Sequence, residues 1–338
     1  MKALAVKYRP TTFDELTEQE SIKVILREQL ATNTIQHSYL FCGGAGTGKT
    51  TSARIFANEI NKGLGNPIEM DAASHNGVDD VRGIIQQAKT QSIDSEYKIF
   101  IIDECHSLSN SAWQAMLKLI EEPPAKSIFI FCTTDPQKIP KTILSRVQRY
   151  DFQRISHNGI VNRLNHIISS EGITKIVSSQ EALEYIAKIA DGGMRDAITL
   201  LDKCLSYSKD LTLDNVLATL GTVDYVTMKE LYVSLSTSNM SEALSIVNDI
   251  YNAGKDLKQF FTDFRIYALD VIKNCLGVPS KYIITPITAL SEEPCIDTPY
   301  KILDFVLKLC GDVKFDSNPK SLIEANIICY LSKENVDG

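Results

Sequence analysis

A glycine-rich loop between an apolar segment and a helical pattern limits most strongly what this chain can fold into. The loop is Gly43-Gly44-Ala45-Gly46-Thr47-Gly48-Lys49-Thr50, preceded by the apolar segment 38–42 and followed by the helical stretch 51–61. Glycines let the backbone N–H groups turn onto a phosphate chain, Lys49 reaches the outer phosphates, and the Thr50 hydroxyl can bind Mg²⁺ where the helix starts. The loop therefore predicts a nucleotide site on a strand-loop-helix unit.

Short β-rich runs alternate with helical patterns through the first half of the chain, which predicts a mostly parallel sheet with helices on both faces. The predicted strands are 38–42, 68–71, 98–103, 127–133 and 149–152. After residue 156 the β signal fades and apolar residues recur at helical spacing. The predicted fold class is α/β, with a parallel-sheet domain over 1–156, a small helical domain over 157–219 and an all-α domain over 220–338. A Pro-bearing stretch from Gly277 to Pro299 predicts a loop between two helices.

Composition narrows the class of protein further. The net charge is −7, and residues 1–155 hold 18 basic and 18 acidic residues, so the acidic excess lies after them. This balance argues against a protein that binds along DNA through a large overall positive charge. It is compatible with a local row of basic residues on one face. The eight cysteines are scattered without a Cys-x2-Cys pair, which predicts reduced core residues rather than a metal site. With no apolar run near the roughly 18 residues that span a bilayer and no signal peptide, we expect a cytoplasmic protein without a membrane partner.

Polar residues stand where two of the predicted strands end, which in parallel sheets is where ligands bind. Asp103 would hold the hydrated magnesium that Thr50 also serves, and Glu104 would polarise the attacking water as general base. An acidic pair after a strand is also common at surfaces, but after a phosphate loop it favours hydrolysis. Thr134 follows the next strand and could orient the water; a cap of that strand by a Thr turn is the equal alternative.

Two arginines are candidates for stabilising transition-state charge on the terminal phosphate. Arg146 lies in Leu144-Ser145-Arg146, and Arg195 lies in Gly192-Gly193-Met194-Arg195-Asp196. A well-placed arginine is worth roughly 10³ or more in rate. Taken in isolation, both would be surface ion pairs, so their role depends on the wider pattern.

Further motifs flank the loop on both sides. They are Lys7-Tyr8-Arg9-Pro10, His37-Ser38-Tyr39-Leu40-Phe41, Met70-Asp71-Ala72-Ala73-Ser74-His75-Asn76-Gly77, Asp103-Glu104-Cys105-His106-Ser107-Leu108-Ser109, Leu117-Lys118-Leu119-Ile120-Glu121-Glu122-Pro123-Pro124 and Thr133-Thr134-Asp135-Pro136-Gln137-Lys138-Ile139-Pro140. Together with the loop they resemble the gamma/tau ATPase subunit of bacterial DNA polymerase III clamp loaders, a family of AAA+ proteins. The resemblance is specific from about residue 5 to 202 and weaker beyond, where Asn318-Pro319-Lys320 resembles the start of a closing collar helix.

The resemblance implies a role for each matching residue. Thr134 is similar to the first phosphate sensor, Arg195 to the second sensor in the lid, and Arg146 to the finger that reaches a neighbouring subunit's ATP. The implied catalytic set is Lys49, Asp103, Glu104, Thr134, Arg146 and Arg195. The implied ATP contacts are Tyr8, Arg9 and Pro10 on the adenosine side, then Gly43, Gly44, Ala45, Gly46, Thr47, Gly48, Lys49, Thr50, Thr51 and Arg195. Thr50 and, through water, Asp103 are the implied Mg²⁺ ligands.

Two departures from the family pattern affect these expectations. The usual four-cysteine zinc module is replaced by Lys62-Gly63-Leu64-Gly65-Asn66-Pro67, so we expect no zinc. The family's Ser-Arg-Cys reads Ser145-Arg146-Val147, and valine keeps a small buried side chain beside the finger. From the resemblance we also expect the chain to stop near the collar, without the long tail that contacts polymerase and helicase in the larger family form. A divergent, phage-encoded relative is one interpretation of this compact form.

The implied function is an ATP-dependent clamp loader that opens a sliding clamp and loads it onto primer-template DNA, with hydrolysis triggering release. The implied partners are the clamp, the DNA, and other subunits or identical copies in a pentameric ring. Asn76, Gly77, Arg82 and Lys89 fall where family members contact DNA, although a solvated helix face explains Arg82 and Lys89 more simply. Two other functions stay open: an AAA+ helicase or remodeller, and a ring scaffold that binds nucleotide without hydrolysing it.

Overall fold

Five parallel strands form a single sheet, as the alternating pattern predicts. In the computed structural model, which describes residues 3–90, 92–172, 180–220, 223–278, 297–314, 316 and 318–334, the strands are β1 (Ser38–Gly43), β2 (Ile68–Asp71), β3 (Lys98–Asp103), β4 (Ser127–Thr133) and β5 (Gln148–Phe152). Their spatial order is β2-β3-β4-β1-β5, and every neighbouring pair is parallel. The strand β1, which leads into the glycine-rich loop, therefore pairs with β4, and β4 pairs with β3. The carboxyl ends of these three strands lie side by side.

The sheet belongs to the first of two compact units, Met1–Val216. Its helices are α1 (Leu4–Lys7), α2 (Glu20–Thr32), α3 (Lys49–Ile60), α4 (Val78–Ala88), α5 (Asn110–Glu121), α6 (Lys141–Leu144), α7 (His157–Ser170), α8 (Gln180–Ala190), α9 (Met194–Tyr207) and α10 (Leu213–Leu220), the last of which contains the unit boundary. Short 3₁₀ turns at Cys105–Ser107 and Pro136–Lys138 follow β3 and β4. The helices α7 to α9 lie within 157–219, the range for which a small helical domain is predicted.

Alternate residues of the central strands enter two different cores, because successive side chains of a strand point to opposite faces. On one face Phe100, Ile102 and Phe131 pack with residues of α4 and α5. On the other face Ile99, Ile101 and Ile130 pack with residues of α2 and α3. The strand β4 is buried at all of its positions. This double coverage is the reason that the strands read as continuous apolar runs.

The second unit, Leu217–Gly338, is all helical over its described residues. Its helices are α11 (Val223–Ser236), α12 (Met240–Asn252), α13 (Leu257–Cys275), α14 (Asp297–Val313) and α15 (Pro319–Glu334). They enclose one hydrophobic core, in which the rings of Phe260, Phe264 and Tyr267 lie in a row along α13. Within the described part of the chain, no helix is both long and apolar enough to cross a membrane.

Several predicted boundaries shift. The helix α3 begins at Lys49, two residues before the predicted helical stretch 51–61. A further helical pattern predicts a helix from Arg195 to Leu205, whereas α9 begins at Met194 and extends to Tyr207. The predicted loop from Gly277 to Pro299 is wrong at its end, because α14 begins at Asp297; proline is tolerated in a first helical turn, where its missing N–H has no intrahelical partner. Residues 279–296 of that loop lie outside the described residues. The three-part domain division stays a prediction.

Candidate functional site

The glycine-rich loop has the backbone shape that phosphate binding requires. Gly46 and Gly48 have φ of 69° and 101°, in the left-handed region that other residues adopt at a cost. Gly48 ends the loop, and α3 begins at the next residue, so the partly positive start of that helix faces the loop. Unpaired backbone N–H groups at a helix start are the donors that phosphate oxygens accept from. The loop therefore fits a nucleotide's phosphates.

Lys49 lies buried within the loop. Its Nζ donates to the carbonyl oxygens of Gly43 at 2.9 Å and Gly44 at 2.7 Å. Burial lowers the pKa of the Lys49 ammonium, and the negative charges of Glu104 and Asp103 partly oppose that change. A buried cation that donates to two neutral carbonyls is well placed to attract phosphate, because an anion would compensate the desolvation that lowers its pKa.

Asp103 connects the start of α3 to the end of β3. Its Oδ2 accepts a hydrogen bond from Thr50 Oγ1 at 2.8 Å, and its Oδ1 accepts from the backbone N of Glu104 at 3.0 Å. A hydroxyl and a carboxylate in contact beside a phosphate loop form the oxygen-donor set that Mg²⁺ favours. These two residues therefore fit the predicted magnesium position.

Glu104 has an unusual backbone conformation that directs its side chain towards β4. Its φ is 46°, in the left-handed region, which costs roughly 1–3 kcal/mol for a residue other than glycine. Its Oε2 accepts from Thr134 Oγ1 at 2.9 Å, and the backbone N of Thr134 lies 3.4 Å away. Strain of this kind persists where surrounding contacts fix it. The predicted general base and the predicted sensor are thus direct partners.

The two threonines at the end of β4 have separate tasks. Thr133 Oγ1 accepts from the backbone N of Asp135 at 3.0 Å. This hydrogen bond forms the Thr turn that the sequence predicted as the alternative to a functional role. Thr134 contacts Glu104 instead. The turn interpretation therefore applies to Thr133, and the functional role of Thr134 stays a prediction.

His106 completes the cluster and was not singled out from the sequence. Its Nδ1 lies 3.3 Å from Glu104 Oε2 and 3.2 Å from Thr133 Oγ1. The 3₁₀ turn after β3 brings it back across the strand ends. Its position two residues after Glu104 gave a weak signal, because the direction of that turn cannot be derived from spacing.

A cavity of about 280 Å³ lies between the loop and residues of α7 and α9. Among its lining residues are the predicted contacts Tyr8, Arg9, Pro10, Ala45, Gly46, Thr47, Gly48, Lys49, Thr50, Thr51, Asp103, Glu104 and Arg195. Gly43, Gly44 and Thr134 are not among them. The lining residues that sequence reasoning missed are Ala5, Leu16, Thr17, Ile155, Arg163, Met194, Asp196 and Ile198.

Arg195 reaches the cavity because the start of α9 contacts the loop directly. The backbone N of Met194 donates to the carbonyl oxygen of Gly46 at 3.0 Å. A Cβ added at Gly46 would lie 2.9 Å from the Cα of Gly193, so the close approach requires glycine. The Gly192-Gly193 pair before α9 therefore takes part in a backbone contact with the phosphate loop.

The N-terminal segment lines the cavity from the side of the small helical domain. The backbone N of Leu4 donates to Asp202 Oδ2 of α9 at 3.0 Å, and Lys7 pairs with Glu171 at 2.6 Å. Arg163 of α7 donates to the carbonyl oxygen of Tyr8 at 2.9 Å. Leu4, Lys7 and Tyr8 are therefore held by α9, by the turn that follows α7 and by α7, directly before Arg9 and Pro10.

Arg146 does not join the site of its own chain. It is exposed, pairs with Glu121 at 2.8 Å, and donates to the carbonyl oxygen of Thr142 at 2.7 Å. It is not among the lining residues of the cavity. Any action on a nucleotide would therefore take place on another subunit.

The four candidate DNA residues lie around α4. Asn76 and Gly77 precede the helix, and the Gly77 N–H donates to Asp80 Oδ2 at 3.1 Å. Arg82 is exposed and pairs with Asp79 at 2.8 Å, whereas Lys89 follows the last helical residue. The ion pair agrees with a solvated helix face, and DNA contact stays a prediction.

The described side chains bear on whether the protein could hold a metal ion among its His, Cys, Asp and Glu residues. Among these residues, no group of three or more His, Cys, Asp or Glu side chains is arranged to hold a metal ion. The described cysteines are free, with Cys42, Cys105, Cys132 and Cys204 buried. The expectation that zinc is absent stays a prediction.

Comparison with known proteins identifies the family. A family model described as DNA polymerase III, delta subunit, matches residues 66–156, and one described as DNA polymerase III clamp loader subunit, ATPase lid domain, matches 159–210. The tau subunit of DNA polymerase III from Bacillus subtilis is 37% identical over 364 residues, covering 99% of this chain and 64% of that protein. The gamma/tau subunit from Mycobacterium bovis is 32% identical and the tau subunit from Escherichia coli 33% identical, covering 83% and 73% of this chain.

The chain spans 53% and 42% of the length of those last two relatives. Among solved structures, the RuvB Holliday junction branch migration motor of Thermotoga maritima matches with a TM-score of 0.53 at 18% identity, over 74% of this chain and 86% of that one. At this identity the likeness shows an AAA+ fold alone. With the sheet, the glycine-rich loop and the lid match in agreement, the chain belongs to the DNA polymerase III gamma/tau family of AAA+ clamp loader subunits.

Proposed function

We propose that this protein is an ATP-dependent clamp loader subunit that opens a sliding clamp and loads it onto primer-template DNA. The contact of Glu104 with Thr134, beside the Thr50–Asp103 pair, carries this proposal. These side chains come from the ends of β3 and β4 and the start of α3, where a nucleotide's terminal phosphate would meet them. No step of binding alone requires a carboxylate held in this way, so the arrangement favours hydrolysis.

Each residue has a defined task in that reaction. Lys49 and the loop N–H groups hold the phosphates, and Thr50 with Asp103 would hold Mg²⁺, which neutralises phosphate charge when bound. Glu104 takes the proton of the attacking water as general base, and Thr134 fixes the direction of its carboxylate. Tyr8, Arg9 and Pro10 contact the adenosine side, and Arg195 contacts the phosphates from the lid.

Arg146 supports action in a ring. It is exposed and absent from its own cavity, as a residue that completes a neighbour's site must be. One chain holds both a nucleotide pocket and a finger, so other subunits or identical copies can serve one another in a pentamer. Asn76, Gly77, Arg82 and Lys89 would contact DNA in such a ring. We propose that the protein works in the cytoplasm.

Steady-state ATPase measurement with a bacterial sliding clamp and primed DNA, alone and together, tests this function. Hydrolysis rises when both are present, and Lys49→Ala lowers it by about 10²-fold or more because the phosphates lose their charged partner. Glu104→Gln is the matched variant that still binds ATP without turnover. A rate indifferent to both ligands would contradict the proposal. Strand separation or branch migration without a clamp would indicate a remodeller, and binding without turnover under every condition would indicate a scaffold.

A further inference from the structure

The segment between the Lys7-Tyr8-Arg9-Pro10 motif and α2 contacts both the nucleotide cavity and the residues that connect β5 to α7. Leu16 and Thr17 line the nucleotide cavity, and a Cβ added at Gly48 would lie 3.2 Å from Leu16 Cδ1. The next two residues, Glu18 and Gln19, have φ of 57° and 64°. Consecutive left-handed residues other than glycine are costly, so contacts elsewhere must fix them.

Those contacts lie on the linker between β5 and α7. The Gln19 side chain forms a reciprocal pair with the backbone of Gln153, donating to its carbonyl oxygen at 2.7 Å and accepting from its N–H at 3.1 Å. The Glu18 carboxylate accepts from the Ser156 N–H at 2.9 Å and from the Ser156 hydroxyl. The same hydroxyl accepts from the Gly159 N–H at 3.0 Å and caps α7. Glu18 thus fixes the residue that starts the lid.

The opposite side of this linker contacts the loop that precedes α9. The Ile155 N–H donates to the carbonyl oxygen of Gly192 at 3.1 Å, and Arg154 donates to that of Asp191 at 2.8 Å. Gly192 lies two residues before Met194, whose N–H donates to Gly46 of the phosphate loop. The linker therefore lies between Glu18 and the loop that leads into α9, on which Arg195 lies.

We propose that Glu18 is a positioning residue that sets the lid, and through it Arg195, over the nucleotide. This inference rests on the proposed nucleotide site. Binding at the cavity touches Thr17 on one side and Arg195 on the other, and Glu18 joins the two through the linker 153–156. Release of the carboxylate leaves Ser156 without its partner and lets the start of α7 shift away from the sheet.

The structure supplies two independent ways to release the carboxylate. Glu18→Gly removes it and suits the left-handed backbone, so the loss of the side chain is not confused with new strain. Gly159→Ala acts from the other side, because a Cβ there would collide with Glu18 Oε1. That change also favours helix α7, so a weakened lid would arise despite higher helix propensity.

Matched controls separate the contact from general effects. Lys62→Gly relieves a φ of 52° elsewhere on the surface, and Gly83→Ala adds a helical Cβ that meets nothing within 4 Å. Glu18→Gln keeps one acceptor oxygen for Ser156 and serves as the conservative variant. Because hydrogen bonds to a charged acceptor are about twice as strong, we expect an intermediate effect from it.

Two measurements on the full chain decide the proposal. In hydrogen exchange without nucleotide, the Ser156 and Gly159 amides exchange about 10-fold faster in Glu18→Gly and Gly159→Ala, because an opening cost of about one hydrogen bond is lost. In titration with a fluorescent ATP analogue, both variants bind about 5-fold more weakly, in the usual range of coupling between sites. In an Arg195→Ala background the same changes alter affinity less than about 2-fold, because the residue that Glu18 positions is absent.

Each contrary result has a distinct meaning. Unchanged exchange at Ser156 would overturn the contact itself, whatever the nucleotide affinity. Faster exchange with unaltered affinity, or an equal loss of affinity with and without Arg195, would overturn the positioning role. If wild-type protein shows no Lys49-dependent binding of the analogue, the proposed function fails together with the positioning role, while exchange still decides whether Glu18 fixes the linker.

Discussion

At the scale of single residues, the conformation of Glu104 determines how the site is arranged. Its left-handed backbone brings the carboxylate to Thr134 and within 3.3 Å of His106. A carboxylate held by a hydroxyl has a fixed direction, whereas one free in solvent samples several. The contact between Glu104 and Thr134 is therefore the feature to alter first.

Thr134→Val tests that contact with little change in shape. We expect turnover to fall about 10-fold or more, because the general base loses its fixed orientation. Nucleotide affinity should stay nearly unchanged, because the groups that bind the phosphates are intact. ATPase kinetics and analogue titration give the two values. Thr133→Val is the control: it leaves the Asp135 N–H without its acceptor and removes the hydroxyl contact with His106, but it keeps the contact of Thr134 with Glu104. It costs about 1 kcal/mol of stability and lowers Tm by a few degrees. Equal loss of turnover in both variants would contradict the separate tasks.

The thiols give a prediction that depends on pH. Burial raises the pKa of Cys42 and of Cys204 to about 11, whereas Cys275 and Cys329 are exposed. At pH 8 we expect iodoacetamide to modify the exposed pair and spare the buried pair, as mass spectrometry of digested protein can show. Because the folded state holds these thiol protons more tightly, their contribution to the free energy of unfolding is complete below about pH 8.5 and is lost as pH rises towards 11. A denaturation midpoint that rises over this range would contradict the assignment.

At the scale of elements, the contact between the phosphate loop and the start of α9 joins two parts that are about 150 residues apart in sequence. It depends on glycine at Gly46 and Gly193, because the backbones meet there without room for side chains. The parallel order β3-β4-β1 supplies the other half of the site by placing three strand ends side by side. A site built in this way is sensitive to added volume at the contact.

Gly46→Ala tests this sensitivity against Gly63→Ala. Both positions have positive φ, 69° and 82°, so each variant bears a similar backbone cost of about 1–2 kcal/mol. Only Gly46→Ala also forces apart the backbone at Gly193, since a Cβ at Gly63 meets nothing within 4 Å. We expect Gly46→Ala to lower Tm more than Gly63→Ala does, and we expect only Gly46→Ala to weaken nucleotide binding. Equal shifts in the two thermal melts would show that the contact is not close in solution.

At the scale of the whole molecule, Arg146 lies outside the cavity of its own chain, which supports the proposal that it completes the site of a neighbouring subunit. Its pairing with Glu121 holds it at the surface in the isolated chain. A neighbour's nucleotide would have to compete with that ion pair, which, as an exposed pair, is worth about 0–1 kcal/mol. The cost of redirecting the arginine is therefore small.

Mixing two inactive variants tests whether neighbouring chains share a site. Lys49→Ala retains the arginine and lacks phosphate binding, whereas Arg146→Ala retains the pocket and lacks the finger. If copies of this chain adjoin one another, the mixture recovers part of the ATPase rate, because some Arg146→Ala pockets then meet an intact arginine. Native mass spectrometry of the mixture verifies co-assembly. Co-assembly without any recovery would contradict action of Arg146 on a neighbour.

Much of the fold could be predicted because its signals are local. The predicted strands match the observed ones to within one residue at each end, since apolar runs and the glycine-rich loop have fixed periods and positions. The residues around the phosphates followed from the same loop. The partners of those residues did not: Glu104 and Thr134 are 30 residues apart, and Glu18 and Ser156 are 138 apart. His106 and the lid-side cavity residues other than Arg195, which are Arg163, Met194, Asp196 and Ile198, were missed for the same reason.

The sequence by itself determined the phosphate loop, the parallel strands that flank it and the apolar faces of the helices, because each depends on the order of neighbouring residues. Only the tertiary structure decided which strand ends meet, that Tyr8 is held from the lid side, that Arg146 faces away from its own cavity, and that Glu18 holds the start of the lid. Such contacts depend on backbone direction at turns, as at Glu104 and Gly46, and on packing between distant segments. The order of residues along the chain determines neither the backbone direction at a turn nor the packing of distant segments. The loop therefore predicts a nucleotide, while the fold determines which residues surround it.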